Sequence, residues 1–131
     1  MSVKLNSVKV STDREENGDW VDSVSFPGVR YLVRGIKSQQ FETARDLAFQ
    51  KLAKAYKTTP VPGALRAKTL GKLVAEHILL GWEGFDEPFD QEKAAEVLTD
   101  PEFRNLVDDI LGAAARVAEN NLEFTESLAK N

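Results

Sequence analysis

A chain of 131 residues can bury a core without covalent staples, and this one carries no cysteine, which excludes a disulfide framework, a thiolate nucleophile and a zinc–thiolate site. A net charge of −4 and an isoelectric point near 5.1 argue against a phosphate-tracking surface, since nucleic-acid binders present a basic stripe. No run approaches the ~20 apolar residues that span a bilayer and MSVKLNSVKV lacks an apolar core of signal-peptide length, so the expectation is one cytoplasmic domain over 1–131 with neither nucleic acid nor membrane as partner.

In chain order, residues 1–36 read as a β region. Val3 to Val10 has the apolar spacing of a short strand with an irregularity at Asn6-Ser7, and the polar stretch Ser11 to Asp19 reads as a loop. Trp20 to Phe26 and Val29 to Arg34 are β-branched and aromatic around a Pro27-Gly28 turn signal, which predicts a hairpin. An L-Pro-Gly pair favours a type II turn, whose twist suits a two-residue hairpin poorly, so a longer connection is allowed. These strands together predict a small N-terminal antiparallel sheet with one face free for a helix.

From residue 37 the period becomes helical. Ser38 can cap a helix from Gln39 to about Lys57, with Phe41, Ala44, Ala48, Leu52 and Ala55 as its apolar stripe. Thr58 to Gly63 holds two prolines and breaks the chain, as a short turn or a hinge. A helix from about Ala64 to Leu80 is apolar over a wide arc and should be central; Gly81 can close it, turning Trp82 back as a packed corner near His77, with Gly84 permitting a second change of direction before Phe85. Asp90 can cap a helix from Gln91 to Leu98, and Asp100-Pro101 opens the last one, to about Ala129. On it Phe103, Val107, Ile110, Ala114, Val117, Asn121, Phe124 and Leu128 alternate four and three apart, the seam of a helix packed lengthwise, with Asn121 as a polar register-setter. The fold class is therefore α+β, predominantly helical, with a small β region against about four helices.

The chemistry of the chain is sparse. His77 is the only histidine and lies on an apolar helix, where a satisfied core histidine outweighs a catalytic or metal role. Asp108-Asp109 and the acids Glu83, Asp86, Glu87 and Asp90 lack metal-ligand spacing and read as solvated. Gly81-x-x-Gly84 lacks the lysine and hydroxyl residue of a phosphate loop. No catalytic, cofactor-binding or metal residue is assigned, and an enzyme is not expected.

The order of WVDSVSFPGVRYLVRGIKS, FETARDLAFQKLAKAY, LGKLVAEHILLGWEGF and LTDPEFRNLVDDIL resembles the tail assembly chaperones of long-tailed bacteriophages, most specifically in His77 to Phe85 and next in Val29 to Phe41. The resemblance spans Trp20 to Glu126. It implies a mainly helical protein of the host cytoplasm, absent from the mature virion, that coats the aggregation-prone tape measure protein and helps recruit the major tail protein. It also implies a second, longer product made by frameshifting, and Ala129-Lys130-Asn131 can be encoded by a slippery run of adenines.

Such a carrier needs apolar surface on an acidic body. The candidate partner-binding residues are Val61 and Leu65 near the prolines, Trp82 and Phe85 at the glycine-bracketed corner, and Asn121, Leu122, Phe124 and Leu128 on the last helix, which can also serve self-association. The alternative is a structural tail or head-tail connector component retained in the virion; an antitoxin-like regulator using the C-terminal seam as a dimer interface is a third class.

Overall fold

The computed structural model describes residues 2–118. The fold is α+β and predominantly helical: α1 (Thr12–Asn17), β1 (Asp19–Asp22), β2 (Arg30–Val33), α2 (Gln39–Ala55), α3 (Gly63–His77), β3 (Leu79–Glu83), α4 (Gln91–Leu98) and α5 (Arg104–Ala118), with 3-10 turns at Leu5–Val8 and Pro101–Phe103.

The sheet is antiparallel in the order β1-β2-β3. Val29, Tyr31 and Val33 alternate inward, and Tyr31 and Val33 are fully buried with Phe41, Val74, Ile78, Leu79 and Ile110 in one apolar cluster. Helix α5 lies against β1 and β2, α3 packs on β3 and α5, and α2 and α4 pack on α3.

Several expectations are corrected. The expected strand at Val3 to Val10 is a 3-10 turn, because the Ser7 hydroxyl and amide both donate to Lys4 O (2.7 and 3.0 Å) and draw the backbone away from any ladder. The expected loop from Ser11 to Asp19 contains α1, capped by Ser11 Oγ on the Arg14 amide and stopped by Gly18, whose amide returns to Arg14 O. In the hairpin only 19–22 and 30–33 pair; residues 23–29 form the long connection, closed by Ser23 N donating to Val29 O (2.8 Å).

The largest correction concerns the tryptophan corner. The helix expected to reach Leu80 ends at His77, and Leu79–Glu83 is the third strand, pairing Tyr31 with Trp82, Leu32 with Gly81 and Arg30 with Glu83. Gly81 is a strand residue facing Leu32, not a helix cap, and the stretch read as a helix end and a packed corner supplies one edge of the sheet. A continuous apolar run, Ile78 to Trp82, satisfies either period, and the open edge of β2 decides for strand. Gly84 does make the turn after it, at φ +99° and so close to Gly28 O that a Cβ would collide.

Ser38 precedes α2 as expected but makes no side-chain cap; Glu16 Oε1 instead accepts from the Gln39 amide (2.7 Å), and Ser38 Oγ is buried without a partner. Asp90 caps α4 through the Lys93 amide, and Asp100 caps the following 3-10 turn through Glu102 N. Because that turn precedes α5, Phe103 leaves the seam and is 41 % exposed, while Val107, Ile110, Ala114 and Val117 are buried as the spacing requires. Among the described residues no helix is long and apolar enough to cross a membrane.

Candidate interaction surface

Asp109, expected in solvent, is buried and ties α5 to the hairpin connection. Its carboxylate accepts from Ser23 Oγ (2.5 Å), Tyr31 OH (2.6 Å) and the Ser25 amide (3.2 Å), while Ser23 Oγ accepts from Phe26 N (2.8 Å). Burial pushes the carboxyl up, but the hydrogen bonds from Ser23, Tyr31 and Ser25 together outweigh it and hold it below its ordinary 3.8. Burial, and then the Asp109 contact, pushes the Tyr31 hydroxyl far above its ordinary 10.0. With three donors from 23–31 converging on its carboxylate, this cluster fixes the loop 23–29 over α5 and is structural.

An apolar surface lies around α4. Trp82 is 9 % exposed, donates Nε1–H to Glu87 O (2.9 Å), and its ring meets Phe85 edge-on at 5.5 Å and Phe89 at 5.1 Å. Together with Val97 and Leu106, Trp82 floors a groove of about 280 Å³ flanked by half-buried Phe85 and exposed Phe103. Its rim carries Asp86, Glu87, Glu96 and Asp100 against one cation, Lys93, which pairs with Glu87 at 3.8 Å.

A second groove, of about 430 Å³, opens on the opposite side of Glu96 and Asp100, which border both. Leu70, Leu98 and Val107 line it between the start of α3, the end of α4 and α5, with Lys68 and Arg104 at its edge. Beside it Gly71 lets α3 approach Leu98 O so closely that any Cβ would strike the carbonyl. A third groove, of about 460 Å³, runs between α2 and α3; Ala48 and Leu73 line it, with His77 at one end and exposed Leu47.

Of the partner residues expected from sequence, Trp82 and Phe85 come together in the first groove, Trp82 as its buried floor rather than a presented side chain. Val61 and Leu65 are half-buried at the start of α3, either side of Ala64 at the margin of the second groove. Asn121, Leu122, Phe124 and Leu128, and the terminal Ala129-Lys130-Asn131, lie outside the described residues. Phe103, Val97 and Leu106 were not among the expected residues; Pro101 after the Asp100 cap is the signal that sets Phe103 on a turn of its own. His77 lines the α2–α3 groove beside Glu76 (Nε2 to Oε2 3.7 Å) and away from the aromatic trio. Among the described residues no group of three or more His, Asp or Glu side chains is arranged to hold a metal.

A family model described as YdaY prophage protein matches residues 36–131, which includes all three grooves. Neither curated proteins nor solved structures gave a match to the chain.

Proposed function

Since the chain belongs to the YdaY prophage protein family and is phage-derived, we propose that it is a tail assembly chaperone, holding the tape measure protein in solution and helping recruit the major tail protein in the host cytoplasm. The observation that carries this reading is the pair of apolar-floored grooves meeting at Glu96 and Asp100 on an acidic body. Such grooves receive apolar side chains of a helical or extended client, while the charged rim keeps the carrier itself soluble. The role is binding, with no catalytic step and no cofactor. The C-terminal segment with Asn121, Leu122, Phe124 and Leu128 is assigned to client contact or self-association.

The test follows the chain through phage assembly. Affinity capture from induced cells should recover it with the tape measure protein, and purified particles should lack it. Stoichiometric retention in particles would replace this reading with that of a structural tail or connector component.

A further inference from the structure

We infer that the groove between Trp82 and Phe103 selects a cationic apolar segment of its partner, seating one or two large apolar side chains on the aromatic floor with lysine or arginine beside them. This rests on the reading that the chain binds partner segments, but not on which phage protein supplies them.

Three features point the same way. The floor is apolar and preformed: the Trp82 ring is held by Phe85, Phe89 and its hydrogen bond to Glu87 O, so the groove does not need to be built on binding. Its volume of about 280 Å³ suits an anchor or two rather than a whole helix, and the 41 % exposed Phe103 forms a wall still open to contact. Its rim is strongly one-signed. Four carboxylates face one ammonium; Glu87 has that ammonium, Asp100 is engaged at the 3-10 cap, and among the described residues Asp86 and Glu96 have no ion pair or side-chain hydrogen bond. An acidic segment would add repulsion, a neutral one would leave the carboxylates uncompensated, and a basic one neutralises them. The other two grooves are less one-signed: Lys68 and Arg104 stand against Glu96, Asp100 and Asp108 in one, and Lys51 and Lys72 against Glu76 in the other.

The full-length chain is titrated with two fluorescent amphipathic peptides, identical in their leucine face and bearing lysine or glutamate on the polar face, and binding is read by anisotropy. The lysine peptide should bind at least about tenfold more tightly, with an affinity that falls as salt rises. Phe103→Ala should weaken it about tenfold. Glu96→Lys should narrow the preference between the peptides. Both side chains are exposed, so the variants retain the fold, and circular dichroism checks this. Equal binding of the two peptides, or a lysine-peptide affinity unchanged in both variants, overturns the inference. Selective peptide binding with no capture of tape measure protein would sustain it while removing the chaperone reading.

Discussion

Asp109 is the residue whose loss has the clearest physical consequence. Three donors from 23–31 converge on it, and removing the charge leaves the Tyr31 hydroxyl and the Ser25 amide with a weaker acceptor at a site 7 % exposed. Asp109→Asn should lower stability by about 2–3 kcal/mol, measured by urea unfolding at neutral pH. The pH dependence follows in sign. The folded carboxyl titrates below its ordinary 3.8, so its contribution is complete above that value and disappears as pH falls through the folded value. Wild type should therefore lose stability on acidification below about pH 4 with a steeper slope than Asp109→Asn, and equal slopes would contradict the assignment. None of this is legible in the sequence, where Asp108-Asp109 on an amphipathic helix are equivalent until the loop 23–29 is known to fold over one of them.

At the scale of elements, α3 and α4 approach most closely at Gly71. Gly71→Ala would push a methyl into Leu98 O and force the helices apart, at a cost of about 2 kcal/mol or more. Gly63→Ala, in the first turn of the same helix with open space around it, should shift stability by less than about 1 kcal/mol. Thermal unfolding of the two variants separates packing from helix propensity, and equal melting temperatures would refute the close-contact account. The helices legible in sequence are those with a clear apolar stripe: α2, α4, where the Asp90 cap adds a start signal, and the α5 seam from Val107 to Val117. Two elements escaped. α1 is polar all round, so no stripe announces it, although Ser11 with Asp13 and Glu15 in the first turn is a start signal. β3 escaped because Ile78 to Trp82 is apolar at every position, and only a long-range partner, β2, settles strand over helix.

Across the whole molecule, the acidic, cysteine-free composition does not by itself name a role, and the two grooves that meet at Glu96 and Asp100 are assembled from side chains dispersed between residues 64 and 108, with no signature in sequence. Trp82 and Phe85 were found because two glycines bracket the tryptophan; Phe103 joins them only through the 3-10 turn that redirects it. What unites the surface is an apolar floor under charged rims, the arrangement on which the proposed chaperone role rests. The most direct measurement of that claim is co-expression of this chain with the tape measure protein from the same gene neighbourhood, scoring the soluble, co-purifying fraction of the client. The account predicts a large rise in soluble client bound to the chain. Client that precipitates equally with and without it would contradict the account.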